Sequence, residues 1–217
     1  MHSQVSKLKF VLVAAVILSL SVLAFGCAVP TSEDHSATLE KQIALRQTMR
    51  KLWEDHITWT RLVIVSTAAG LPDLDATTQR LLQNQTDIGD AIKTFYGDTA
   101  GTKLTALLRE HIIGAANILA AAKAKDQATL ATAKTAWYAN ANEVAAFLSG
   151  ANPSSWTPAG TQAMMKEHLD LTLAEAVDQL QGHYPESVAD YDKVHDAILK
   201  MADMLSTGII QQFPKQF

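Results

Sequence analysis

Histidine is the side chain that this sequence offers most clearly for chemistry. Three short segments each place a histidine directly after an acidic residue and before an aliphatic one, at His56, His111 and His168. The spacings of 55 and 57 residues match the spacing of the surrounding apolar pattern, which indicates an internal repeat. A fourth histidine, His195, lies in the last apolar segment. Imidazole binds transition metals and exchanges protons near neutral pH, so a group of histidines at one depth is a candidate site.

Each predicted helix carries one polar residue near the middle of its apolar stripe. A buried polar group without a partner costs about 1–3 kcal/mol, so we expect these residues to meet one another or a bound species. The six residues are His56, Gln85, His111, Asn140, His168 and His195.

Two interpretations of this polar layer compete. In the first, the four histidines and a carboxylate, Asp87 or Glu143, hold a transition metal ion such as Zn, Cu or Fe, because helical bundles build such sites from facing helices. Met164 and Met165, one turn before His168, make copper conceivable among these ions, although a methionine in a helix more often fills the core. In the second, neutral histidines bond to Asn, Gln or acidic partners and only fix the register of the helices.

A ligand pocket is a related expectation. Trp59 and Arg61 lie close together on the first predicted helix and, with Gln85 and Asn140, are candidates to line a site for a small molecule. Core packing of the tryptophan and a surface position for the arginine explain the same residues equally well.

An enzyme is the weaker hypothesis. The sequence has no repeated Glu-x-x-His pair, no His-Glu-x-x-His, no haem-attachment motif, no glycine-rich phosphate loop and no Gly-x-Ser-x-Gly. A hydrolase or oxidoreductase that uses the same histidines stays as a third hypothesis, and no catalytic residue is assigned.

The elements that must position these residues are all helical. Apolar residues recur every three or four positions from Leu39 onward, without the alternation typical of strands. Short connections predict antiparallel neighbours, and hence a bundle of about six helices built as three helical hairpins. A four-helix core with two added helices is also compatible with the pattern. The predicted helices span about 36–69, 75–97, 101–125, 127–150, 157–182 and 185–213.

The first residues resemble a bacterial lipoprotein signal peptide. Lys7 and Lys9 precede an uncharged apolar run that ends in small residues just before Cys27, the only cysteine. We expect cleavage after residue 26, acylation of Cys27 and a lipid anchor that holds the protein outside the cytoplasmic membrane. The predicted units are the signal 1–26, a tether 27–36 and a bundle domain 37–213.

The charge balance excludes a nucleic-acid partner. The whole chain has a net charge of −4, and removal of the two lysines of the signal leaves 16 basic against 22 acidic side chains. The expected partners are therefore the membrane, through the lipid, and a metal ion or small molecule.

Some segments also resemble a family of proteins. Residues 52–61, 84–92 and 167–172 look like an uncharacterised family of small bacterial helical proteins, over most of residues 45–210. The resemblance implies a bacterial origin and a helical fold, and it implies no activity.

Overall fold

The described residues, 32–217, form an all-α bundle in this computed structural model, and no strand occurs among them. The fold class predicted from the apolar periodicity is therefore confirmed. The predicted signal peptide and Cys27 lie outside the described residues. The first helix begins inside the predicted tether. The helices are α1 (Ser32–Ala69), α2 (Leu74–Lys123), α3 (Gln127–Ala151), α4 (Pro158–Gln181) and α5 (Tyr184–Gln212), followed by a short 3-10 turn at Pro214–Gln216.

Helix ends follow the capping residues that the sequence shows. Asp126 accepts a hydrogen bond from the Thr129 amide at the start of α3, and Thr157 accepts one from the Gly160 amide at the start of α4. Gly182 ends α4 with a φ of 81°, a left-handed conformation that glycine adopts without steric cost. These caps fix where the connections between neighbouring helices begin.

The described range contains five helices rather than the predicted six. The segments predicted as the second and third helices form one element, α2, which is interrupted at Gly97. Helical conformation continues to this residue and resumes directly after it, so the expected linker before the third helix does not exist. Gly97 itself has φ 81° and ψ 168°, which interrupts α2. The two parts of α2 lie side by side, since a Cβ placed on Gly89 would come within 2.7 Å of the Gly101 carbonyl oxygen. Although α2 is long and apolar enough to cross a membrane by length and composition, its two parts pack within the bundle.

The helices close into a ring around one main core. Each helix packs against the next along the chain, and α1 also packs against α5. Fully buried aliphatic side chains fill the interior, and burial of each contributes about 1.5–3 kcal/mol. The most deeply buried are Ile57, Ile64, Ile88, Leu169, Ile198 and Ile209.

Candidate histidine layer and the pocket beside it

Three histidines from three separate segments meet inside the bundle. The ring centroids of His56 and His168 are 5.6 Å apart, and those of His111 and His168 are 6.2 Å apart. All three side chains are buried, with 2–4% of their surface exposed. The structure thus brings together the three repeated histidines of the sequence, and we refer to them as the histidine layer.

His56 has an amide partner. The Nε2 atom of Gln85 donates to the Leu81 carbonyl at 2.8 Å and lies 3.3 Å from Nδ1 of His56. Nε2 of Gln85 also lies 3.1 Å from Oδ1 of Asn84, so its two hydrogens face three acceptors, of which Nδ1 of His56 is the most distant. Asn84, which is fully buried beside Gln85, donates to the Leu52 carbonyl and ties this part of α2 to α1.

His111 has a second amide partner, with the opposite polarity. Asn140 donates through Nδ2 to the Leu107 carbonyl at 3.1 Å, which turns its Oδ1 atom to His111 Nδ1 at 2.9 Å. Nδ1 of His111 is therefore protonated, and Nε2 carries a free lone pair. The ring also stacks on Trp137 at a centroid distance of 5.0 Å. A histidine whose Nδ1–H is held in this way presents its other nitrogen as an acceptor or metal ligand.

His168 differs from the other two because its buried Nδ1 atom has no hydrogen-bond partner. The residue lines a pocket of about 350 Å³ between α4 and α5, together with Met164, Met201, Met204 and Ala197. Nε2 of His111, Oε1 of Gln85 and Nε1 of Trp53 are also buried without a partner. Unsatisfied polar atoms are rare in folded proteins, and this polar centre holds several of them.

Burial keeps the layer neutral. Desolvation, helped by the neighbouring His111, lowers the pKa of His56 to about 3, against a smaller opposing effect of the hydrogen bond with Gln85. Desolvation likewise lowers the pKa of His111 to about 4, and the pKa of His168 lies well below its usual value for the same reason, with added repulsion from His56 and His111. At neutral pH the three imidazoles are uncharged and have lone pairs to offer.

Apolar space lies on both sides of the layer. A cavity of about 30 Å³ is lined by residues one turn beyond the histidines, including Thr60, Ala115 and Thr172. On the other side, Trp53 and Met49 line a cavity of about 20 Å³. The polar centre is thus a thin layer between hydrophobic surfaces, and the low local dielectric constant strengthens any polar contact made there.

Three residues predicted for the layer lie elsewhere. His195 is at the surface, with 37% of its side chain exposed, and its Nε2 atom is 2.8 Å from Glu54 Oε1. Asp87 lies at the surface against Arg80 and Gln83, and Glu143 is exposed. The prediction for His195 is wrong because α5 turns a different stripe inward, the one formed by Val194, Ile198, Met201, Ala202, Leu205 and Ile209.

Trp59 and Arg61 do not share one pocket. Arg80 stacks over the Trp59 ring at 5.4 Å, whereas Arg61 Nη1 lies 2.7 Å from Glu175 Oε1 and 3.1 Å from Ser187 Oγ. Glu175 is almost fully buried, and burial raises its pKa to about 7 although Arg61 opposes the shift. This ion pair was not predicted. The pairing was only weakly indicated by the position of Arg61 at a helix edge and of Glu175 three residues after Thr172.

Carboxylates do not complete a metal site around the histidines. Among residues 32–217, no group of three or more His, Cys, Asp and Glu side chains is arranged to hold a metal ion. A metal bound at this layer therefore needs fewer ligands of these types or ligands of another kind.

The chain matches no protein-family model, no curated protein and no solved structure.

Proposed function

We propose that this protein is a lipid-anchored, extracytoplasmic binding protein that takes a metal ion or small ligand at its histidine layer. The observation that carries the proposal is the pair of buried ring nitrogens without partners, Nε2 of His111 and Nδ1 of His168. A bound species that satisfied them would recover the roughly 1–3 kcal/mol that each unpaired group costs.

The chemistry of the layer fits such a role. Neutral imidazole is the form that ligates metal, and burial keeps all three rings neutral. Asn140 holds His111 by the nitrogen that faces away from a ligand on Nε2, as outer partners do around ligating histidines. His168 is the member of the layer that lines the pocket between α4 and α5.

The repeat supports the same idea. We propose that the chain is organised as three related helical hairpins, with the interruption at Gly97 as the turn of the second repeat unit. Each unit then contributes one histidine to the layer, so the repeat itself would assemble the site. The resemblance to small bacterial helical proteins is likewise retained as a proposal.

A second candidate function follows from the amide contacts. The pairs of His56 with Gln85 and of His111 with Asn140 each cross between neighbouring segments, and Asn140 also bonds to the backbone at Leu107. Such bonds fix helix register in a structural or protein-interaction module. They satisfy Nδ1 of His56 and of His111, and they leave Nε2 of His111 and Nδ1 of His168 without a partner.

Metal analysis separates these candidates. Full-length protein purified without a histidine tag is assayed for bound Zn, Cu, Fe and Mn, and its melting temperature is measured with chelator and with each added ion. We expect one ion per chain and a rise in melting temperature that disappears in His111→Gln and His168→Gln and persists in the surface control His183→Gln. No bound ion, together with no shift for any added ion, would overturn the metal proposal.

The anchor needs its own test. Cys27→Ser is expected to abolish incorporation of labelled palmitate and to move the protein from the membrane fraction to the soluble extracytoplasmic fraction. A variant that still incorporates the label, or a wild-type protein that never does, would contradict the anchor and leave the histidine layer unaffected.

A further inference from the structure

We propose that the ligand is a soft monovalent metal ion, Cu(I), held by His168 together with the thioethers of Met164, Met201 and Met204 in the pocket between α4 and α5. This inference rests on the proposed function, because His168 belongs to the histidine layer, and it names the metal and the missing ligands.

The four side chains come from two facing helices. Met164 and His168 are four residues apart on α4, and Met201 and Met204 are three residues apart on α5, so each pair occupies one face of its helix. All four line the same pocket of about 350 Å³. Three methionines and one histidine therefore line the same pocket.

The methionines of the described chain differ in their exposure. Met49 and Met165 are buried in the hydrophobic core, as expected for methionines that fill space. Met201 is also part of this core, whereas Met164 and Met204 pack against it from partly buried positions and line the pocket with Met201. Three of the five methionines in the described chain thus collect at one opening beside an unpartnered histidine.

The ligand types in the pocket favour a soft metal ion. Thioether and imidazole are soft and borderline ligands that suit Cu(I), whereas Mg²⁺, Ca²⁺ and Mn²⁺ prefer carboxylate oxygens. The one carboxylate that lines the pocket, Glu167, is exposed and is accompanied by the exposed Lys200. The pocket therefore offers no net negative charge to a hard divalent cation.

His168, between α4 and α5, also lacks the amide partner that His56 and His111 each have. His56 and Gln85 are 29 residues apart, and so are His111 and Asn140. The residue 29 positions after His168 is Ala197, which has no hydrogen-bonding side chain and lines the pocket. Where the other histidines have an amide, His168 has open space and methionines.

The test is a Cu(I) titration of the full chain under anaerobic, reducing conditions, with bicinchoninate as the competing chelator. All proteins carry Cys27→Ser, so that the thiol does not bind the ion. Met1 and His2, which are also able to bind copper, are present in every variant. A difference in affinity between two variants therefore reports only on the substituted residue. Met164→Leu and Met204→Leu conserve volume at partly buried positions and should keep the fold, which circular dichroism checks. Met165→Leu and Met49→Leu are the matched controls.

We expect one Cu(I) per chain, an affinity about tenfold lower or more in Met164→Leu and Met204→Leu, and unchanged affinity in both controls. The inference would be overturned if the wild-type side chains bound no more Cu(I) than a Met164→Leu, Met204→Leu double variant. It would also be overturned if the controls lost as much affinity for Cu(I) as Met164→Leu and Met204→Leu. If a divalent ion binds with dependence on His111 while Cu(I) binding ignores the methionines, this inference fails and the proposed function stands. If neither ion binds, both fail.

Discussion

The histidine layer contains two kinds of position. His56 and His111 each have an amide partner on a neighbouring segment and lie between apolar surfaces. His168 has the same burial and the same sequence context, but its Nδ1 atom has no partner and its neighbour at the equivalent spacing is Ala197. We interpret the difference as two histidines held by amides, of which His111 still has a free Nε2, and a third histidine whose Nδ1 is free. Four predictions test this contrast.

Acid should weaken the whole layer, with the largest effect of the four. The pKa values of His56 and His111 fall to about 3 and 4 in the folded state, and that of His168 also falls, whereas each is near 6.5 when unfolded. The unfolded chain therefore binds more protons below pH 6.5, so the free energy of unfolding decreases as the pH falls. Each histidine contributes about 1.4 kcal/mol per pH unit at the steepest part.

Chemical denaturation at pH 7, 6 and 5 measures this slope. His56→Gln, His111→Gln and His168→Gln should each remove about one third of it, and His183→Gln, at the exposed connection before α5, should leave it unchanged. Glu175 acts in the opposite direction, because its pKa rises from 4.5 to about 7 and its contribution is lost as the pH increases through that range. Measurements in a Glu175→Gln background isolate the histidines. A slope independent of all three would contradict the buried neutral layer.

Removal of an amide should be the next largest effect. Gln85→Leu leaves His56 Nδ1 buried without a partner, and Asn140→Leu does the same to His111, so each should lower the free energy of unfolding by about 1–3 kcal/mol. Urea denaturation at pH 7 measures the loss, with the exposed Gln162→Leu as the control. If both amides can be replaced without loss, they do not fix the register and the contrast with His168 disappears.

Much of this arrangement was readable in the sequence, and the rest was not for physical reasons. Helix ends followed from local capping at Thr157 and Gly182. His56 and His111 lie on regular apolar stripes, whereas His168 lies at the edge of a less regular one, and all three are buried. His195 was misplaced because its helix carries apolar residues on more than one face, including the exposed Val188, so periodicity alone gives no unique inward stripe. The pocket of methionines depends on the pairing of α4 with α5 across 29 residues or more, and local patterns do not report it.

Replacement of His168 itself should cost less than replacement of its two counterparts. His168→Leu removes an imidazole whose Nδ1 atom has no hydrogen-bond partner, so the substitution leaves no partner group unsatisfied at that atom. The free energy of unfolding should therefore change by less than about 1 kcal/mol. His111→Leu leaves Asn140 Oδ1 without its donor and should cost about 1–3 kcal/mol. Equal losses in the two variants, measured by urea denaturation of metal-free protein at pH 7, would show that the three positions are equivalent.

A gain in stability should come from giving His168 the amide that it lacks. Ala197→Asn places a hydrogen-bonding side chain at the spacing that Asn140 has from His111, at a partly buried position that lines the pocket. A new hydrogen bond should stabilise the metal-free protein by about 0.5–1.5 kcal/mol, and it should compete with any ion for the ring. Ala197→Leu is the control, because it fills the same space without a hydrogen bond. If the asparagine stabilises the fold and lowers the affinity for Cu(I) while leucine affects only the affinity, the free nitrogen of His168 is retained at the expense of stability, as expected for a residue kept for binding.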